Sequence, residues 1–343
     1  MHHYGLFDCH VNGALGFDLN DPLATSQVEK IRSFLNYQYS HGIAMIGATF
    51  VSNSNENIYL GLEHLIKARD ADRLIKFSIP LVHFEIYAAK EAGPRGAHKP
   101  EYFREPVWST FRSFLDLVQE NGLKVWVTID PSLLAPDDDF IHKCVSRGVV
   151  VGIGHTDAYG EPIDKAIREG ATLSTHLWNG TSKVQDRSCN AIIDQLAQRE
   201  LTACLILDGH HVPKKAAMVT YRCKGPENTI LVSDSTSLAG MPPGPYQFND
   251  QDVKLEENGR ISLASDPRYM AGSSANLAKC LECAKDYGIP PGTALNMANI
   301  YPARIFGMEK ELRKTKLSYN WNLEKNHITV KQLKIGDEIV YKA

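Results

Sequence analysis

The sequence predicts an α/β fold, a (β/α)8 TIM-like barrel over residues 1–312 followed by a small C-terminal β appendage over 313–343. Three observations carry that prediction. Eight short apolar runs between Leu6 and Ser233 alternate with amphipathic helical stretches, the pattern of parallel strands joined by crossover helices. Polar residues cap those runs one after another, at His10, Glu85, His155, His176, His211 and Asp234, and barrel closure would bring all six to one face. Past Asp234 the pattern breaks into turn-rich and period-2 segments.

Residues 6–11 read as the first strand, and 23–41 as a helix that ends before Gly42. Residues 43–51 form a buried strand, and 56–71 a helix. The apolar stretch 77–84 gives the third strand, ending in Glu85. The irregular stretch 86–106 carries Gly93–Pro94 and Gly96, Ala97 and His98; loops of that length in a compact domain are usually functional or disordered. A helix over 107–120 leads into the fourth strand at 123–129, and a helix over 137–147 into the fifth at 149–154. The unbroken run of valines, glycines and isoleucine there stops at His155. Residues 161–169 form a helix closed by Gly170, and 173–175 the sixth strand, stopping at His176. A helix over 189–199 and a strand over 201–207 follow, then Asp208, Gly209, His210 and His211, and Pro213 suits a helix start. Residues 229–233 are the eighth strand, before Asp234. Beyond it come a turn-rich lid candidate (240–245), a hairpin over 246–265, helices at 273–287 and 291–300, and alternating strands near 316–319, 328–334 and 336–341.

Composition narrows the class. With 343 residues, 43% hydrophobic and 22% charged, the chain has the make-up of a globular protein with a full core. A formal net charge of −3 argues against nucleic acid or an anionic membrane as the main partner. No charged-then-apolar leader and no apolar run near the length of a membrane span is present, so a cytoplasmic location is expected. The seven scattered cysteines read as reduced core residues. Cys280-x-x-Cys283 stands alone in a helical stretch with no second pair, which disfavours a zinc or redox motif.

Glu85, His155 and His176 form the chemically pointed set. A carboxylate and two neutral imidazoles are a frequent catalytic-metal triad, leaving an open position for water whose pKa the metal lowers. Each histidine alone is more often a satisfied, half-buried residue; the matched placement at strand ends favours the ligand reading. Asp234, at the end of an apolar strand, suits a general base that later acts as acid, although Ser233–Asp234–Ser235–Thr236 could also cap a turn. Asp208 before Gly209 can simply support its turn. Only one of His210 and His211 can point inward.

These residues resemble the amidohydrolase superfamily, and within it the N-acetylglucosamine-6-phosphate deacetylase family. The resemblance rests on His10–Asn12–Gly13, His83–Glu85, Gly96–His98, Gly154–His155, Thr175–Asn179, Asp208–Val212, Ser233–Thr236, Ala271–Ser273 and Tyr301–Arg304, in family order over about 300 residues. It implies that Glu85, His155 and His176 bind a divalent metal, zinc first, with iron, manganese or another divalent ion as alternatives. Asp234 would be base, then acid. His98 and His211 would contact the sugar and the amide carbonyl, while Asn179, Gly180 and Arg187 would hold a phosphate. The arginine would reach in from the neighbouring subunit of a homodimer, and its planar fork suits phosphate. The implied substrate is a small amino sugar, an N-acetylhexosamine 6-phosphate. Departures from the family pattern are specific. Ile86–Tyr87 replace the usual Gly-Pro after the metal-ligand glutamate, the segment after Arg187 is shortened, and the usual N-terminal part of the β domain is missing. His10-x-Asn12 is a hybrid of the two-metal and one-metal patterns, so one tight metal is expected, with a weaker second site that His10 helps form. Ile86–Tyr87 leave open another N-acyl or cyclic amide substrate, and a catalytically silent, ligand-binding relative is the third reading.

Overall fold

The computed structural model describes residues 3–85, 94, 96, 98, 100–248 and 251–343. Ile86, Tyr87, Gly93 and Ala97, singled out in the sequence, lie outside the described residues. Eight parallel strands form one sheet in chain order: β1 (Leu6–Val11), β2 (Ile43–Phe50), β3 (Leu81–Phe84), β4 (Lys124–Ile129), β5 (Val150–Ile153), β6 (Leu173–Ser174), β7 (Thr202–Leu205) and β8 (Thr229–Leu231). Almost every residue in them is buried, as expected where helices cover one face of a parallel sheet and its other face fills the barrel. The last strand returns to the first. Asp234 N–H donates to His10 O (3.1 Å) and Asn12 N–H to Ser235 O (2.8 Å). Lower in the seam the Asp8 carboxylate accepts Ser233 N–H at 3.1 Å.

Helices alternate with the strands: α1 (Val28–Ser40), α2 (Asn55–Ala71), α3 (Arg73–Ser78), α4 (Trp108–Glu120), α5 (Phe140–Ser146), α6 (Glu161–Arg168), α7 (Ala191–Ala197) and α8 (Lys214–Lys224). One expectation needs correction. Phe77 and Ser78 do not open the third strand; they end α3. The Asp72 side chain accepts the N–H groups of Leu74 and Ile75, which caps a helix start, and the strand begins only after Pro80.

Past β8 a three-stranded antiparallel sheet, β9 (Gly244–Phe248), β10 (Gln251–Leu255) and β11 (Ile261–Leu263), encloses a small core of its own around Phe248, Val253 and Ile261. Then come α9 (Leu277–Tyr287), α10 (Pro291–Met297) and α11 (Ile300–Ile305). The chain ends in a second antiparallel sheet, β12 (Thr315–Asn322), β13 (His327–Ile335) and β14 (Glu338–Lys342). Leu317, Val330, Leu333 and Ile335 of that sheet belong to the same continuous core as the barrel. No helix among the described residues is long and apolar enough to cross a membrane. All seven cysteines are free, and Cys280 and Cys283 are buried.

Candidate metal centre and active site

The site lies at the C-terminal ends of the barrel strands. Glu85 directly follows β3, and its N–H extends the ladder to Phe50 O (2.9 Å). His155 and His176 stand two residues beyond the last paired residues of β5 and β6, Ile153 and Ser174. Three site residues have left-handed backbone: His155 (φ 51°), His176 (φ 31°) and Asp234 (φ 49°). That conformation breaks the strand's alternation at the rim, and non-glycine residues adopt it at a cost that clusters at functional sites.

The side chains converge. His176 Nε2 lies 2.8 Å and His155 Nε2 3.2 Å from Glu85 Oε1, and the two nitrogens are 3.0 Å apart. His155 Nδ1 is 3.2 Å from Pro94 O. A carbonyl only accepts, so Nδ1 carries the proton and Nε2 turns a lone pair toward the carboxylate. Two acceptors facing each other at that distance repel unless a cation lies between them. The donor set, one carboxylate and two neutral nitrogens, therefore fits a divalent metal. Burial, foremost, holds His176 below the ordinary histidine range and so keeps it neutral.

A second cluster shares Glu85. His10 Nε2 lies 3.0 Å from Glu85 Oε2 and 3.1 Å from Asp234 Oδ1, and Asn12 Nδ2 donates to the same Asp234 oxygen at 2.8 Å. Burial disfavours a charged His10, but the Glu85 and Asp234 carboxylates outweigh it and lift its pKa to about 10. Burial alone would raise the Glu85 pKa; the His10 charge and its hydrogen bond hold it well below the carboxylate range. Glu85 with either His155 and His176 or His10 and Asp234 brings ligand atoms close enough for an ion.

Beneath these side chains runs a polar belt. His83 is 3.3 Å from Thr49 Oγ1 through Nδ1 and 2.7 Å from Thr128 Oγ1 through Nε2, and Thr128 is 2.8 Å from Thr175 Oγ1. The His83 ring stacks on Trp126 with centroids 3.7 Å apart. Gly152 makes room for this belt, since a Cβ there would lie 2.6 Å from both Thr175 Oγ1 and Trp126 Nε1. His83 and Thr175 stand two and one residues before Glu85 and His176, so the belt fixes where those side chains leave the barrel.

The remaining residues expected from sequence take distinct places. His98 packs edge-on to the His155 ring at 4.9 Å, with Nδ1 2.9 Å from Ser52 Oγ; burial and the neighbouring His155 push its pKa down to about 3. Asn179 folds back on His176 O through its N–H (2.9 Å) and Nδ2 (3.2 Å). Gly180 presses against His155. His211 points inward and His210 outward, the latter toward Asn258 O. Arg187 is exposed and has no hydrogen-bond or ion-pair partner among the described residues. Sequence reasoning missed the grip of Asn12 on Asp234 and the belt around His83. It also read Asp208 as turn support alone, whereas the carboxylate additionally holds His211 Nδ1 at 2.7 Å. The spacing of a carboxylate three residues before a histidine in one tight turn was the available signal.

No protein-family model matches the chain. In sequence it is 27% identical over 318 residues to the N-acetylglucosamine-6-phosphate deacetylase of Haemophilus influenzae, covering 90% of this chain and 77% of that protein. It is 28% identical over 308 residues to the N-acetylgalactosamine-6-phosphate deacetylase of a Shewanella species, covering 88% and 73%. The chain is similar to these deacetylases. The resemblance to this group within the amidohydrolase superfamily thus holds along nearly the whole chain. The fold agrees. The N-acetyl-D-glucosamine-6-phosphate deacetylase of Mycobacterium smegmatis superposes with a TM-score of 0.84 at 24% identity, over 99% of this chain and 87% of that one. The corresponding enzyme of Pasteurella multocida gives 0.85 at 21%, over 98% and 85%.

Proposed function

We propose that the protein is a metal-dependent hydrolase that removes the N-acetyl group from an N-acetylhexosamine 6-phosphate, N-acetylglucosamine 6-phosphate first, giving the amino sugar phosphate and acetate. The observation that carries this reading is the convergence of Glu85, His155 and His176 within 3.2 Å beside the tethered Asp234 carboxylate. The names of the relatives support the substrate class.

Glu85, His155 and His176 would hold the ion, zinc by preference for this mixed nitrogen–oxygen set. Bound there, a divalent metal supplies Lewis-acid polarisation of the amide oxygen and a lowered pKa for the attacking water. Asp234 takes the proton of that water and later hands it to the departing amine nitrogen. His10 and Asn12 both hold Asp234 Oδ1, which leaves Oδ2 to exchange the proton. His211 hydrogen-bonds the amide carbonyl, and His98 faces the sugar. Asn179 and Gly180 line the phosphate end, and Arg187 of a second subunit completes it in a homodimer. His10 with Glu85 and Asp234 provides a weaker second metal position.

The test is acetate release from N-acetylglucosamine 6-phosphate, run beside the unphosphorylated sugar and the galacto epimer, with metal-stripped and zinc-reconstituted protein. Zinc-dependent release confined to a phosphosugar is the expected outcome. No release from any of the three at stoichiometric metal would overturn the substrate assignment.

A further inference from the structure

The chain leaves β5 through a left-handed residue, and the strand ladder stops there. Gly154 N–H donates to Ile129 O at 3.2 Å, the last backbone bond between β4 and β5. His155 follows with φ 51°. Beyond that point a pair of side chains takes the ladder's place. Asp130, the residue after β4, and Thr156, the residue after His155, meet at 2.6 Å between Oδ1 and Oγ1. A carboxylate only accepts, so the threonine hydroxyl donates, and a lone pair of the same oxygen accepts Ala158 N–H at 2.9 Å. The result is a directed chain, from Ala158 N–H through the Thr156 hydroxyl to Asp130, that fixes the stretch after the histidine. Both side chains are nearly sealed from solvent, Thr156 2% and Asp130 5% exposed, so bulk water does not replace a partner lost there.

The carboxylate is itself anchored. The same Asp130 oxygen accepts the Ser132 N–H at 2.9 Å and the Ser132 hydroxyl at 2.7 Å, which ties it to the turn Pro131–Leu133 on its own side. Among the described residues no basic side chain pairs with it. On the far side Asp157 continues the fastening. Its Oδ1 accepts the Thr181 hydroxyl at 2.9 Å and Ser182 N–H at 2.8 Å, on the segment behind Gly180, whose backbone presses on the His155 ring. A shift of residues 156–158 would therefore move both the backbone that carries His155 and the wall against its ring.

We propose that Asp130 is a positioning residue for the metal centre: by gripping the Thr156 hydroxyl it holds His155 in its left-handed conformation, with Nε2 3.2 Å from Glu85 Oε1 and 3.0 Å from His176 Nε2. This deepens the metal-dependent reading and rests on it. Left-handed backbone is unfavourable for a histidine and persists only where the surroundings enforce it. A hydroxyl bonded to a carboxylate belongs to the stronger class of hydrogen bonds, and this one acts on the residue next to the strained one.

Thr156→Val is nearly isosteric and removes the hydroxyl. Zinc affinity, measured by competition with a chelator, is expected to fall about tenfold, the lower end of the range for partners that orient a metal ligand. Asp130→Ala is expected to lose at least as much, and adding Thr156→Val to it little more, because the shared bond is already gone. Thr156→Ser keeps the hydroxyl and is expected to restore the affinity. Ser132→Ala removes a donor from the same Asp130 oxygen but leaves Thr156 in place, and is expected to bind zinc as the wild type does. Circular dichroism and the Tm of each metal-free variant check folding. Unchanged affinity in Thr156→Val, fully additive losses in the double variant, or an equal loss in Thr156→Ser or Ser132→Ala overturns the proposal. The hydrolase reading fails separately. Zinc bound by the wild type and weakened in Thr156→Val, with no acetate released from any of the three sugars, overturns that reading and leaves the role of Asp130 standing.

Discussion

At the scale of single residues, the site depends on backbone that most side chains cannot adopt. Gly180 has φ 58°, and a Cβ there would lie 2.8 Å from His155 Nδ1 and 2.9 Å from its Cγ. Gly180→Ala therefore pays twice, about 1–2 kcal/mol for an alanine in the left-handed region and a displaced His155 ring. The expected result is a folded protein whose zinc affinity, measured by competition with a chelator, falls about ten- to a hundredfold; unchanged affinity would mean the ring simply slides. Much of this site was legible in the sequence. Glu85, His155, His176 and Asp234 were visible because each ends an apolar run, and the rim of a barrel brings strand ends together whatever their spacing in the chain. Asn12 was not, because its work is a hydrogen bond to a residue fixed elsewhere: it holds Asp234, 222 positions away. His98 and Arg187 rested on family resemblance, since no strand or helix pattern distinguishes them.

At the scale of elements, periodicity located the barrel strands but blurred their starts. Residues 77–84 read as one strand because an apolar run does not distinguish a helix end from a buried strand; the Asp72 cap, which decides it, lies outside the run. Connections between helices were invisible altogether. Lys224 ends α8, is 7% exposed, and its ammonium hydrogen-bonds the carbonyls of Gln195 and Gln198 at the end of α7. Burial, foremost, pulls its pKa from 10.5 down to about 8. Between those two values the unfolded chain binds the proton that the folded chain has released, so this group's contribution to stability rises with pH across that window and is flat below it. Comparison with Lys224→Met, which cannot titrate, isolates the effect. The Tm advantage of wild type over the variant is expected to widen from pH 8 to pH 10. A constant difference would show that the ammonium is solvated rather than buried between the two helix ends.

For the molecule as a whole, the barrel, its eight-strand count and the C-terminal sheet were all readable from pattern, while the sharing of one core between barrel and sheet was not, because packing between distant segments leaves no local periodicity. The assembly is the largest step beyond one chain. Arg187 lies on the exposed segment that leaves the site at Gly180 and re-enters the fold at α7, and it has no partner within the chain among the described residues. If it completes the phosphate end of a neighbour's site, each site of a homodimer draws on both subunits. Arg187→Ala should then raise KM for phosphorylated substrate and leave turnover of the neutral sugar unchanged, and Asp234→Asn should abolish turnover with metal retained. Mixing the two variants provides the decisive case. A hybrid dimer has one site with both defects and one with neither, because Asp234 of one subunit meets Arg187 of the other. Random re-association of equal amounts makes about half of the dimers hybrids, and half of their sites intact, so activity at low substrate should recover to about a quarter of wild type. An arginine acting within its own chain gives no such recovery, since every site would then keep one defect. Activity that stays at the average of the two variants after subunit exchange, verified by mass spectrometry of the mixed dimers, would rule out a site shared between subunits.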